Sequence, residues 1–169
     1  MKTTLVIHPK DTTTDFLSPI YQGRNWDVIS EEVSYQKLHY EITNHDRIVM
    51  LGHGTEYGLI GWSCFAINSS FIEVLKDKEC VYIWCNADKF VNQHELQGFY
   101  TGMIISEQPE AALFQIKATD NEIAHSNTMF ALAVKKAIFS HNMADKVKLN
   151  YTTEINPIIR FNHRNIFNT

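Results

Sequence analysis

The sequence has 169 residues, 44% of them hydrophobic and 20% charged, with a formal net charge of −4. A single domain of that length buries roughly 70% of the surface its unfolded chain exposes, so no staple or metal is required for it to fold. Its apolar runs, such as Ile48–Leu51 and Val81–Cys85, fall far short of the roughly 20 residues a membrane span needs.

In chain order, Thr4–His8 reads as a first strand that stops at Pro9. Asp15–Tyr21 reads as a short helix limited by Pro19, and Trp26–Ile29 as a second strand. Ser34–Thr43 places Tyr35, Leu38 and Ile42 at helical spacing, with Ser34 as N-cap and Asn44 as the stop. Asp46–Leu51 is the third strand, ended sharply by Gly52-His53-Gly54. Gly58–Gly61 reads as a turn or hairpin, Ser69–Lys78 as a helix with Phe71, Val74 and Leu75 on one face, and Cys80–Cys85 as the fourth strand. Leu96–Gly98 falls in a polar linker or short helix, Thr101–Ser106 is the fifth strand, and Gln108–Leu113 opens another helix. Asn127–Ser140 is the strongest helix. Tyr151–Thr169 reads as irregular structure or a late strand around Pro157–Phe161.

Strands joined mostly by helices predict a largely parallel sheet with helices on both faces. Ligands on such sheets sit beyond the carboxyl ends of the strands, which directs attention to His8, Gly52–Glu56, Cys85–Asp88 and Ser106–Glu110. Two of these places carry a reactive pair. His53 follows strand three and Cys85 closes strand four, so neighbouring strands would deliver an imidazole and a thiol to one edge. A thiol attacks well only when a base takes its proton, and imidazole does this near neutral pH. The backbone N–H groups of Gly54 and Cys85 could then hold an oxyanion.

The His-Gly of IVMLGHG (Ile48–Gly54) and the strand-terminal Cys of VYIWCNAD (Val81–Asp88) resemble the caspase-like cysteine peptidases: caspases, gingipains, legumains and bacterial CHAT-domain proteases. The resemblance covers roughly Thr4–Ser106. It implies a three-layer α/β sandwich with a largely parallel central sheet, caspase-like or flavodoxin-like. It also implies a His53/Cys85 dyad with Gly54 in the oxyanion hole, and a peptide or protein substrate cleaved through an acyl-enzyme. Glu56, Asp88 and Glu107 lie on the same predicted edge, where acids would favour Arg or Lys in the substrate. Asn86-Ala87-Asp88 after the cysteine departs from the small residue many members place there.

The alternative is a non-catalytic caspase-like or flavodoxin-like module that binds a ligand or protein at that edge. In either case residues 1–169 are expected to form one domain with a basic C-terminal segment (about 141–169). No zinc spacing, phosphate loop or Gly-x-Ser-x-Gly elbow is present, so neither metal nor cofactor is expected. Three cysteines, an odd number, without an export signal point to a cytoplasmic protein with free thiols. Cys80 and Cys85 would stand roughly 17 Å apart in an extended strand, too far for a disulfide. Residues 1–134 carry 17 acids and 9 bases, and residues 135–169 carry 2 acids and 6 bases. An acidic body with a basic end suits self-association or a protein partner and not nucleic acid.

Overall fold

The computed structural model describes residues 2–152 and 156–169. Met1 and residues 153–155, the latter inside the stretch Tyr151–Thr169 read above, lie outside the described residues. The strands are β1 (Thr4–Ile7), β2 (Asp27–Ile29), β3 (Arg47–Leu51), β4 (Gly54–Thr55), β5 (Gly58–Gly61), β6 (Cys64–Ile67), β7 (Glu79–Ile83), β8 (Phe99–Thr101) and β9 (Ile166–Asn168). Six of them form one sheet in the order β2-β1-β3-β7-β8-β9, parallel except for β9, and β4-β5-β6 form a small antiparallel sheet. The five parallel strands have the 2-1-3-4-5 order of flavodoxin-like sheets, with an antiparallel strand added at one edge.

The helices are α1 (Tyr35–Asn44), α2 (Ile72–Leu75), α3 (Ala87–Gln93), α4 (Gln108–Leu113), α5 (Asp120–Ala137), α6 (Met143–Asn150) and α7 (Pro157–His163), with 3-10 turns at Asp15–Ile20 and Ser69–Phe71. Because side chains alternate across a strand, each central strand feeds two cores. Val49, Leu51, Val81 and Ile83 pack against α5, α6 and the Asp15–Ile20 turn. Ile48, Met50, Cys80 and Tyr82 pack against α1, α2 and α3. The result is the expected three-layer α/β sandwich. The continuous apolar run Ile48–Leu51 is the mark of a parallel strand covered on both faces. Among the described residues no helix is long and apolar enough to cross a membrane.

Several boundaries differ from the sequence reading, each for a local reason. Ser34 does cap α1, its side chain accepting from Lys37 N, although Tyr35 stays exposed while Leu38 and Ile42 are buried. Helix α5 begins at Asp120 and not Asn127, because Thr119 and Glu122 form a reciprocal capping box. The fifth parallel strand is Phe99–Thr101; after it Gly102 N donates to Asn165 O at 2.8 Å and the chain leaves the ladder. The stretch around Pro157–Phe161 is helix α7 and not a strand: Asn156 accepts from Ile158 N and Ile159 N, and Pro157 occupies the first turn. Gly58–Gly61, read as a turn or hairpin, is the central strand of a three-stranded antiparallel meander, and α3 and α6 were not foreseen.

Candidate active site

The chain departs to opposite sides of the sheet from β1, which pairs with both β2 and β3. Beyond the carboxyl ends of β1 and β3 lies the crevice where open α/β sheets bind ligands. Strands β3 and β7 end in register at Leu51 and Ile83. His53 and Cys85 each lie two residues past that pair, in the segments that follow the two strands. Both line one cleft, with Thr14, Phe16, Ile104 and Phe130 around them. The cleft is narrow, with about 20 Å³ of free volume, room for a single water. Cys85 is not the last residue of the strand, as the sequence suggested: β7 ends at Ile83, and Cys85 sits in the turn that enters α3.

The thiol is half-buried. Its Sγ lies 3.6 Å from Ile104 O and 4.0 Å from Glu110 Oε1, both acceptors. Burial, with the Glu110 carboxylate alongside, pushes the Cys85 thiol up to about 11, so it rests protonated. All three cysteines are free; Cys64 is exposed, and burial pushes Cys80 up to about 12.

His53 is held from the loop that follows β1. Its Nε2 lies 2.6 Å from Thr13 Oγ1 and 3.9 Å from Asp11 Oδ2. Thr13 donates to Asp11 Oδ1 from its hydroxyl at 2.7 Å and from its backbone N–H at 2.8 Å. These bonds hold the Asp11 carboxyl below the usual carboxylate range. The loop is itself anchored by His8, the residue after β1: Nε2 lies 3.2 Å from Thr14 Oγ1 and Nδ1 3.1 Å from Tyr21 OH. Burial lowers the His8 pKa and keeps that ring neutral.

Two backbone N–H groups, those of Gly54 and Cys85, adjoin the His53 and Cys85 pair in sequence. Ile60 N donates to His53 O at 2.8 Å. Hydrogen-bonded and non-hydrogen-bonded pairs alternate in an antiparallel ladder. The next pair, Gly54 with Leu59, is therefore non-bonded, and the Gly54 N–H turns away from β5. The Cys85 N–H has no acceptor among the described residues. Trp84 packs against β4. Its Nε1 donates to Thr55 O at 3.0 Å, and its ring lies so close to Gly54 that a Cβ there would sit 2.0 Å from Trp84 Cδ1.

The acids singled out from sequence lie elsewhere. Glu56 is in the β4–β5 turn, Asp88 is in the first turn of α3 with a buried Oδ1 lacking a hydrogen-bond partner among the described residues, and Glu107 is the N-cap of α4. None of the three lines the cleft. Glu110 comes closer to the thiol, yet its Oε2 is committed to Ser106 N at 2.7 Å and Glu107 N at 3.2 Å. Asn162, which the sequence reading passed over, stabilises the far wall. It accepts from Ile105 N at 2.7 Å and donates to Ile105 O at 2.9 Å, as a neighbouring strand would. Asp11-Thr12-Thr13 did carry a signal, since an Asp followed two residues later by Thr is an Asx-turn pattern. Among the described residues no cluster of three or more His, Cys, Asp or Glu is arranged to hold a metal.

No family model matches this sequence, and no curated protein matches it. Among solved structures, that of a Trp repressor binding protein from Bacillus subtilis is similar at 10% identity, over 75% of this chain and 97% of that chain, with a TM-score of 0.40. Likeness at that level carries no functional argument, and the fold class stands on the sheet itself.

Proposed function

We propose that this chain is a cysteine-peptidase-like hydrolase that cleaves a peptide bond through an acyl-enzyme on Cys85, with His53 as base and then acid. One observation carries the reading: an imidazole and a thiol, each two residues past a registered pair on adjacent parallel strands, line the same cleft. In the first step Cys85 Sγ bonds to the carbonyl carbon, its proton passes to His53, and the carbonyl electron pair moves onto oxygen beside the Gly54 and Cys85 N–H groups. Collapse breaks the C–N bond, and the leaving amine takes the proton from His53. Water, giving a proton to His53, then attacks the thioester, releasing the acid and restoring the thiol. A thiol pushed up to about 11 holds no stored thiolate, so its deprotonation accompanies attack on a bound substrate.

The cleft walls at Phe16, Leu17, Ile104 and Phe130 are apolar and close together. They suit a small uncharged side chain before the scissile bond, in place of the Arg or Lys expected from Glu56, Asp88 and Glu107. A cytoplasmic setting, and self-association or a protein partner for the basic C-terminal segment, belong to the same proposal. The test is a panel of fluorogenic peptides differing only at the residue before the scissile bond, assayed with the native chain, Cys85→Ala and His53→Ala. Cleavage favouring Ala, lost in both variants, is the expected result. Turnover that survives Cys85→Ala, or no cleavage of any peptide, would overturn the reading. The raised thiol is also the observation that favours the second reading, a non-catalytic binding module in which Cys85 is a packing group. That reading predicts no covalent adduct when the protein meets a peptidyl chloromethyl ketone.

A further inference from the structure

The loop after β1 does more than border the cleft, because its hydrogen bonds determine which nitrogen of His53 carries a proton. The Thr13 hydroxyl has one hydrogen. Its short contact with Asp11 Oδ1, 2.7 Å away, can be made only by donating that hydrogen, since an ionised carboxylate accepts and does not donate. Thr13 Oγ1, only 2.6 Å from His53 Nε2, must therefore accept there. Nε2 then bears hydrogen whether the ring is neutral or charged. Asp11 Oδ2 at 3.9 Å adds a negative charge on the same side of the ring. The proton that the ring exchanges is left at Nδ1.

We propose that Thr13 and Asp11 are positioning residues that fix the His53 ring, hold hydrogen on Nε2, and reserve Nδ1 as the basic nitrogen that serves Cys85. The purpose assigned to this arrangement rests on the hydrolase reading; the arrangement itself does not. A neutral histidine serves as a base only through its unprotonated nitrogen, so the hydrogen-bond partner of the other nitrogen selects the working tautomer. Both loop residues are exposed, and so replaceable without disturbing either core. Behind them buried Thr14 and His8 are joined to half-buried Tyr21, which gives the loop a fixed base.

The test is nitrogen-15 NMR of the full chain labelled in histidine, with His53 assigned by comparison with His53→Gln. Native protein and Thr13→Ser should show an Nε2–H signal at His53 that exchanges slowly with water and an unprotonated Nδ1. Thr13→Val should lose that protection. Asp11→Ala, which frees the Thr13 hydroxyl to donate to Nε2, should move hydrogen to Nδ1 in part of the population. A native ring protonated on Nδ1, or an Nε2–H signal unchanged in Thr13→Val, would overturn the inference. Where turnover is measurable, kcat/KM should fall about tenfold in Thr13→Val, the rate equivalent of one hydrogen bond, and recover in Thr13→Ser. A chain that cleaves nothing yet shows the protected Nε2–H would remove the hydrolase reading and keep the loop's hold on the ring.

Discussion

Gly54→Ala is the sharpest perturbation the structure offers. The new methyl would lie 2.0 Å from Trp84 Cδ1, 2.4 Å from Trp84 Cγ and 2.7 Å from Gly58 O. Carbon atoms pack at about 3.5–4.0 Å, so one side must retreat by roughly 1.5 Å. If the indole turns aside, it gives up its bond to Thr55 O and its edge contacts with Tyr82 and Phe90. If β4 moves instead, its pairing with β5 is disturbed. Overpacking of this kind costs about 1–3 kcal/mol, and the lost hydrogen bond adds about 1 kcal/mol. For a domain of this size that total lowers the melting temperature by about 5–15 °C. Thermal unfolding followed by circular dichroism measures it. Gly23→Ala is the control: a Cβ there meets nothing within 4 Å, and only the positive φ of 79° resists it. A Gly54→Ala melting point within about 2 °C of the native value would refute the packing argument.

Three further outcomes are expected. Asn162→Ala strands the N–H and C=O of fully buried Ile105; at about 1–3 kcal/mol for each unpaired group, the urea midpoint should drop clearly and Cys85 should become more accessible to alkylation. Cys85 and Cys80, raised from ordinary values near 9 to about 11 and about 12, keep their protons in the folded state after the unfolded chain has begun to lose them. The contribution of these two thiols should therefore be flat below about pH 9, and stability should fall above it by about 1.4 kcal/mol per pH unit for each group; denaturant midpoints at pH 8 and pH 10.5 that coincide would contradict this. His45, buried at the end of α1, bonds Glu41 O at 2.7 Å and Asp27 Oδ2 at 2.9 Å. His45→Ala should cost about 1–3 kcal/mol, whereas exposed Asp27→Asn should cost under about 1 kcal/mol, as thermal melts of the two variants will show.

The sheet, and the placing of His53 and Cys85 beside one cleft, were legible because their signals are local. Ile48–Leu51 and Cys80–Ile83 are short apolar runs entered from charged residues, and their parallel pairing follows from the helix between them. His53 and Cys85 needed only the further assumption that those two strands are neighbours, which the register supports. What was missed depends on contacts distant in sequence. Asn162 looks like any polar helix residue until α7 brings it against Ile105, 57 positions away. Thr13 and Asp11 lie 40 and 42 positions before His53, and no pattern along the chain announces that they meet it. Helix α7 itself was concealed by Pro157, which marks a first helical turn as readily as a strand edge.

The clamp by Asn162 bears on how the protein is made. The segment around Ile105 that walls the cleft stays without its partner until α7 has emerged from the ribosome and docked, and β9, which borders the sheet, follows later still. Translation proceeds from the N-terminus and domains form as their residues appear. The far wall of the cleft is complete only once α7 has docked against Ile105.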